Sequence, residues 1–321
     1  MNILIPNIGR RGYLVAFLKK TPNFKGKVFV SDCDNTASGL YGNNDGAFVL
    51  PKPADNEEKY VNLLCNLCID KNIDIVIPVI DPEIFILSKY NELFSKNNIF
   101  VSVSDKSVLD ICYNKLLMND FLLKNGFDVP KTYKDIESFK EALNDKLISF
   151  PVIIKPIYGS GSVSTYYVDS IEKIYALFSE GMIIQEVIKG QEYGADVFND
   201  LNGNTVRCVI KRKIAMRSGE TDKSETIQRK DLQKVLISMG QKLRHICNLD
   251  CDILEKDNHY YIIDLNPRFG GGYPATHLSG VNLLSLVCDL SEGNSIHPDF
   301  SYKYGLFFFK EVSIVSTDRL I

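Results

Sequence analysis

The sequence has neither a long apolar segment nor a strong excess of one charge. Its apolar runs fall short of the roughly 18–20 residues that a membrane-spanning helix needs, so we expect no membrane partner. The net charge of −3 gives no reason to expect nucleic acid as a partner. The opening stretch MNILIPNIG lacks a basic region ahead of an apolar run, which indicates a strand rather than a signal peptide. We therefore expect a cytoplasmic protein.

Several familiar site motifs are also missing. Cys65 and Cys68 form a CxxC motif in a segment of helical periodicity, but no second pair or nearby His completes a zinc site. With eight cysteines and no secretion signal, reduced thiols are expected. The turn at 9–12 lacks a full GxGxxG, and the Gly/Ser loop at 158–162 is not followed by GK[ST]. Neither a dinucleotide site nor a Walker loop is predicted.

The composition is that of a globular protein, and the length of 321 residues is sufficient for two or three domains. Up to about residue 103, apolar strands alternate with helices, which predicts a parallel, doubly wound sheet. A single helix is predicted through DICYNKLLMNDFLLKNG. From 182 to 267 the strand pattern indicates an antiparallel sheet, interrupted by a polar loop at 215–224.

Charged residues follow the predicted strands of the N-terminal sheet. Arg11, Asp32, Asp81 and Glu83 lie at carboxyl ends of strands, where ligands bind in such sheets. Asp81 and Glu83 have a second interpretation as caps of the helix that begins there.

The stretch CDILEKDNHYYIIDLNPRFGGGY predicts a hairpin with a polar strand end. Strand alternation places Asp264, Asn266 and Arg268 on one face. Asp and Asn oxygens suit Mg²⁺, and Arg suits phosphate or carboxylate. The pattern favours a metal–phosphate site, although a solvated strand end would have the same composition.

Two further stretches carry polar chemistry. In PVIIKPIYGSGS, Lys155 ends a strand and a Gly/Ser hairpin tip follows. This tip has two interpretations: a loop whose backbone N–H groups bind phosphate, or a flexible turn. Lys211, Arg212, Lys213 and Arg217 suggest a basic rim for a substrate anion, or a solvated strand end.

The order of these motifs resembles the ATP-grasp superfamily, in particular the branch of the carbamoyl phosphate synthetase large subunit and biotin carboxylase. The motifs that carry the resemblance are IIKPIYGSGS, IIQEVIKGQEYGADV and IIDLNPRFGGG. The resemblance implies an α/β and α+β protein with three domains. These are an N-terminal Rossmann-like pre-ATP-grasp domain at 1–108, a central lid subdomain at 109–187 and a C-terminal, mainly antiparallel domain at 188–321.

The resemblance also implies residue roles. ATP is expected to contact Lys115, Lys155, Tyr158, Gly159, Ser160, Gly161, Ser162, Gln185, Glu186, Val187, Ile188 and Glu192. Two Mg²⁺ ions, with Mn²⁺ as an alternative, are expected at Asp252, Asp264 and Asn266. Arg268, Lys155 and Asn266 are the expected catalytic residues. The substrate candidates are Arg11, Lys211, Arg217, Gly271 and Gly272.

The implied activity is ligation of a small-molecule carboxylate to an amine through an acyl-phosphate, with release of ADP and phosphate. Two alternatives stay open: an enzyme of carbamoyl-phosphate or carboxylating type that activates bicarbonate, and a non-catalytic ATP-binding regulator. A homodimer is a further expectation, because dimers are common among similar enzymes.

Overall fold

The computed structural model describes residues 1–22, 24–159, 164–217 and 219–321. Within these residues the strands form three sheets that follow one another along the chain. No helix in this part of the chain is both long and apolar enough to cross a membrane.

The first sheet is parallel. Its strands are β1 (Ile3–Ile5), β2 (Val28–Asp32), β3 (Gly46–Val49), β4 (Ile75–Val76) and β5 (Phe100–Val101). They lie in the order β3-β2-β1-β4-β5, a doubly wound arrangement. The accompanying helices are α1 (Tyr13–Lys19), α2 (Glu57–Asp70), α3 (Asp81–Lys89) and α4 (Asn91–Ser95), with a short 3-10 helix at Ser38–Tyr41. Strand β1 is wholly buried because helices cover both faces of such a sheet, so its sequence is continuously apolar.

The second sheet is smaller and antiparallel. Its strands are β6 (Thr132–Tyr133), β7 (Val152–Pro156), β8 (Tyr166–Val168) and β9 (Met182–Glu186), in the order β6-β9-β7-β8. The helices of this region are α5 (Lys106–Tyr113), α6 (Lys115–Lys124), α7 (Ile136–Asn144) and α8 (Ile171–Leu177). A core that includes Phe139, Ile154 and Ile184 joins α7 to the sheet.

The prediction of one continuous helix before this sheet is wrong. The chain breaks at Asn114, which has extended backbone angles and caps α6 by accepting hydrogen bonds from two backbone N–H groups. Its side-chain Nδ2 donates to the hydroxyl of Tyr158 at 3.0 Å. Helical periodicity alone did not reveal the break, because apolar residues continue on both sides of it.

The third sheet is antiparallel. Its strands are β10 (Gln191–Asn199), β11 (Thr205–Arg217), β12 (Glu220–Thr226), β13 (Cys247–Lys256), β14 (His259–Asn266) and β15 (Phe307–Phe309). Their order is β14-β13-β10-β11-β12-β15, and the helices are α9 (Lys230–Leu243), α10 (Tyr273–Leu278) and α11 (Leu283–Ser291). The predicted polar loop at 215–224 is wrong: the described residues of this stretch belong to the β11–β12 hairpin, which pairs as far as Arg217 and Glu220.

The first and third sheets share a hydrophobic core. Tyr273 and Leu284, from the C-terminal helices, pack in one cluster with Ile3 and Leu14 of the N-terminal domain. Cys65 and Cys68 are buried free thiols in α2, as expected. The parallel sheet followed by antiparallel sheets confirms the predicted fold class, and the domain limits remain a prediction.

Candidate functional site

The larger of two adjoining cavities has a volume of about 550 Å³ and lies between the second and third sheets. Most of the residues predicted to contact a nucleotide line it: Lys115, Lys155, Tyr158, Gly159, Gln185, Glu186, Val187, Ile188 and Glu192. The predicted Ser160, Gly161 and Ser162 lie outside the described residues. Residues from α6, β7, β9 and β10 thus surround one space, which we call the large cavity.

Two lysines stand in the wall of the large cavity. Lys115 begins α6 because the chain breaks before it, and its Nζ donates to the carbonyl oxygen of Gly159 at 2.5 Å. Loss of water contact lowers the pKa of both lysines, to about 8 for Lys155, where the charge of Lys115 adds to the effect. Two neighbouring cations in a poorly solvated wall favour the binding of an anion.

The floor of the site is formed by neighbouring residues of β13 and β14. Asp252 pairs across the strands with Asp264, and Asp250 pairs with Asn266. The Nδ2 of Asn266 donates to Oδ2 of Asp264 at 3.1 Å, so these side chains lie on one face as predicted. Burial raises the pKa of Asp264, and the facing charge of Asp252 adds to this.

These oxygens suit a hard divalent cation. Burial disfavours the charged form of the Asp264 carboxylate and raises its pKa, and a bound cation would offset this cost. In the described part of the chain, no three His, Cys, Asp or Glu side chains form a metal-binding group. A magnesium site here would therefore combine the carboxylates with the Asn266 carboxamide and with oxygens from a nucleotide or water.

The four residues of the predicted basic rim do not form one exposed positive patch, because three of them pair with carboxylates. The role of this run in substrate binding stays a prediction. Lys211 is buried, and its Nζ lies 2.5 Å from Oδ2 of Asp196. Arg212 projects to the other face of β11 and pairs with Glu225. Arg217 is exposed near the hairpin tip.

Lys213, also part of the predicted rim, instead joins two site carboxylates. Its Nζ lies 2.7 Å from Oδ1 of Asp252 and 2.8 Å from Oε1 of Glu192. These two carboxylates raise the pKa of Lys213 despite its burial, so it stays charged. Lys213 therefore fixes Asp252 beside the large cavity.

The guanidinium of Arg268 is held by the N-terminal domain. Its Nε donates to Oδ1 of Asp81 at 2.7 Å, and its Nη1 lies 3.8 Å from Oδ2 of Asp250. The Arg268 side chain is 11% exposed. Of the two carboxylates predicted either to face a ligand or to cap α3, Asp81 thus reaches the site, whereas Glu83 is fully buried with Asn7 and Tyr60.

A second cavity, of about 220 Å³, adjoins the first and is called the small cavity. Four of the predicted substrate residues line it: Arg11, Lys211, Gly271 and Gly272. Glu220 of β12 also lines the small cavity, and its carboxylate lies 3.8 Å from the guanidinium of Arg11. A Cβ on Gly271 would come within 3.1 Å of the Glu220 carboxylate, so glycine leaves the cavity open at this point.

The two cavities share a wall. Asp252 and Asp264 line both of them, and Met216 and Gly219 of the β11–β12 hairpin border both from the other side. A cation at the two carboxylates would therefore contact ligands in either cavity.

Sequence reasoning missed two carboxylates of this region. Asp250 lines the small cavity, and burial together with the charge of Asp252 raises its pKa to about 7. Its position two residues before Asp252, on the same strand face, was an available signal. Asp196 is fully buried and accepts hydrogen bonds from Lys211, Thr276 and Asn248, and strand pairing had to be known to find that cluster.

Two family models match the chain. Residues 3–102 match the PylC-like N-terminal domain, and residues 112–272 match the ATP-grasp domain. The second match covers half of the chain and includes the large cavity and the strand floor.

Individual relatives agree with this assignment. The chain is 28% identical over 184 residues to the mitochondrial acetyl-CoA carboxylase of Saccharomyces cerevisiae, covering 50% of this chain and 8% of that protein. It is 22% identical over 253 residues to the carbamoyl phosphate synthase large chain of Clostridium beijerinckii, covering 71% of this chain and 23% of that one. The chain thus spans only a minor part of these relatives.

Among solved structures, the biotin carboxylase of Campylobacter jejuni in a β,γ-ATP complex has a similar fold. The TM-score is 0.75 at 18% identity, over 95% of this chain and 74% of that one. Together with the sheet order and the matched domain model, these comparisons show that the chain belongs to the ATP-grasp family.

Proposed function

We propose that this protein is an ATP- and Mg²⁺-dependent ligase that activates a small-molecule carboxylate as an acyl-phosphate and joins it to an amine. The observation that carries the proposal is the shared wall: Asp252 and Asp264 line both cavities. A nucleotide in the large cavity and an acid in the small cavity would meet at these carboxylates. Phosphoryl transfer depends mainly on such positioning and on charge neutralisation.

The large cavity is assigned to ATP. Lys115 and Lys155 would hold its phosphates, since both are cations in a poorly solvated wall. Glu186 and the backbone at 187–188 would border the adenine, and Glu192 would face the ribose. These assignments follow the family resemblance and agree with the position of each residue in the cavity.

Magnesium is assigned to Asp264 and Asn266, with Asp252 beside them, and two ions are proposed by resemblance. Bound there, Mg²⁺ would supply neutralisation of the phosphate charge. The chain itself supplies the remaining positive charge through Arg268, whose guanidinium is enclosed and oriented by Asp81. Such a fixed cation stabilises negative charge that develops on phosphoryl oxygens.

The reaction would proceed in two steps. A carboxylate oxygen of the acid attacks the γ-phosphorus, and the bond from that phosphorus to ADP breaks. The amine nitrogen then attacks the acyl carbon, phosphate leaves, and the nitrogen loses a proton to solvent. The walls of the small cavity would limit the access of water to the acyl-phosphate between the steps.

Bicarbonate is the second candidate for the activated acid. Similarity to a carbamoyl phosphate synthase and to carboxylases favours it. Against it, a small cavity of about 220 Å³ offers more room than a bicarbonate ion fills.

The test is the release of ADP and phosphate from Mg-ATP with a panel of organic acids and bicarbonate, with hydroxylamine as the amine. Hydroxamate formation with an organic acid is the expected result. Turnover with bicarbonate alone would support the second candidate. ATP binding without turnover on any acid would overturn the proposal in favour of a non-catalytic ATP-binding regulator.

A further inference from the structure

Asp250 is a carboxylate of the small cavity for which the described residues supply no close cationic partner. Among the described residues, its side chain accepts no hydrogen bond, and its ion-pair contact with Nη1 of Arg268 is long, at 3.8 Å. The side chain is only 19% exposed. A poorly solvated carboxylate is costly unless a cation or hydrogen-bond donor accompanies it. The position therefore suits a cationic group supplied by a ligand.

The cations around Asp250 are engaged elsewhere. Three cations that line the small cavity each lie closer to another carboxylate than to that of Asp250. These pairs are Lys211 with Asp196 (2.5 Å), Lys213 with Asp252 (2.7 Å) and Arg268 with Asp81 (2.7 Å). None of these pairs has to break for Asp250 to receive a ligand. A cationic group of a ligand would therefore neutralise the charge of Asp250.

Asp250 differs from the proposed magnesium carboxylates in the cavities that it lines. Asp252 and Asp264 line both cavities, whereas Asp250 lines only the small one, beside the glycines at 270–272. Its carboxylate packs against Gly270, where a Cβ would fall 2.0 Å from Oδ2. Glycine at this position is what allows the carboxylate to occupy its place.

An anion-binding group stands directly beside this cation-binding group. The 3.8 Å between Nη1 of Arg268 and Oδ2 of Asp250 places a positive and a negative side chain next to each other at the cavity floor. A ligand that carries a carboxylate and an ammonium group on one carbon can contact both at once. A simple carboxylic acid or a hydroxy acid would leave Asp250 without a cation.

We infer that the activated acid is an α-amino acid, with its ammonium group bound by Asp250 and its carboxylate directed to Arg268. The inference rests on the proposed ligase function and narrows its acid substrate. The amino-acid side chain would extend along Gly271 and Gly272 toward Glu220. Asp250 is thus assigned as the residue that distinguishes amino acids from other carboxylates.

The first test compares acids that differ at one group. Phosphate release from Mg-ATP with hydroxylamine is measured for protein amino acids and for the α-hydroxy acids with the same side chains, such as alanine and lactate. Turnover with an amino acid and little with its hydroxy analogue is expected. Equal turnover with both, or turnover only with acids that lack an α-amino group, overturns the inference while leaving the ligase function intact. No turnover with any acid would overturn both.

The second test uses Asp250→Asn, which keeps the shape packed against Gly270. We expect the KM for the amino acid to rise about tenfold or more, as for loss of a charged hydrogen bond, with the KM for Mg-ATP unchanged. Asp145→Asn, the same change at an exposed site, is the matched control. Weakened Mg²⁺-dependent ATP binding in Asp250→Asn would instead make Asp250 a metal ligand and overturn the inference. If this variant fails to fold, the comparison of acids still decides.

Discussion

The Nε atom of Arg268 donates a 2.7 Å hydrogen bond to Oδ1 of Asp81, a residue 187 positions earlier in the chain. Through this contact the first helix turn after β4 orients an arginine that follows β14. The parallel N-terminal sheet therefore takes part in the site directly, at the carboxyl end of a strand where such sheets place their ligand contacts.

Asp81→Asn should lower turnover by about 10- to 100-fold, because small displacements of a positioned group have effects of that size. The KM for ATP should stay the same, since Asp81 does not line the large cavity. Steady-state kinetics would measure both parameters. Glu57→Gln, which removes an exposed ion pair with Lys89 in the same domain, is the control and should be silent. Unchanged turnover in Asp81→Asn would contradict a role in orienting Arg268.

Asp264→Ala and Asn266→Ala should each abolish turnover, because both side chains are assigned to magnesium. Chelation of divalent cations from the wild-type protein should have the same effect and should be reversed by added Mg²⁺. Titration of ATP binding against Mg²⁺ would separate a metal defect from misfolding. Wild-type turnover in either variant would refute the metal assignment.

ATP binding should weaken as the pH rises from 7 to 9. The pKa of Lys155 is lowered to about 8, so the free protein loses this charge over that range, and binding of phosphate must restore it. The expected increase in Kd is about tenfold for one such group. Calorimetry at several pH values would measure it. Lys155→Arg keeps its charge throughout and should show a flatter profile; an equally steep one would assign the effect to another group.

The buried ion pair between Asp196 and Lys211 should matter for stability. Asp196→Asn leaves Lys211, which is 2% exposed, without its carboxylate. Loss of one partner of such a pair lowers the free energy of unfolding by about 3–5 kcal/mol. Glu225→Gln removes the ion pair with Arg212, which is more exposed than the pair of Asp196 and Lys211. This change should lower the free energy of unfolding by less than about 1 kcal/mol. Urea denaturation of both variants would measure the two losses of unfolding free energy. Equal losses would contradict a special role of the buried pair in stability.

The parts of the site that local sequence predicts well are those that lie on one strand or in one motif. Asp264, Asn266 and Arg268 follow one another by alternation, and the structure places them in contact. The order and spacing of the motifs were also sufficient to predict the fold class.

What the sequence could not reveal depends on pairing between distant segments. The basic run at 211–217 looked like a charged surface because the partners of its lysines, Asp196 and Asp252, become neighbours only once β11 and β13 flank β10. At the helix break, Asn114 likewise contacts Tyr158, a residue 44 positions later. Such contacts are set by tertiary structure and leave little trace in local periodicity.

The wall formed by Asp252 and Asp264 has a thermodynamic consequence. Because it belongs to both cavities, a ligand in one cavity that altered the charge or position of these carboxylates would alter the affinity of the other cavity for its ligand. Linkage requires any such effect to be reciprocal: the proposed nucleotide would change acid binding by the same factor as the acid changes nucleotide binding. For the proposed nucleotide and acid, cooperativity would thus arise at a single pair of facing carboxylates, without a rearrangement of domains.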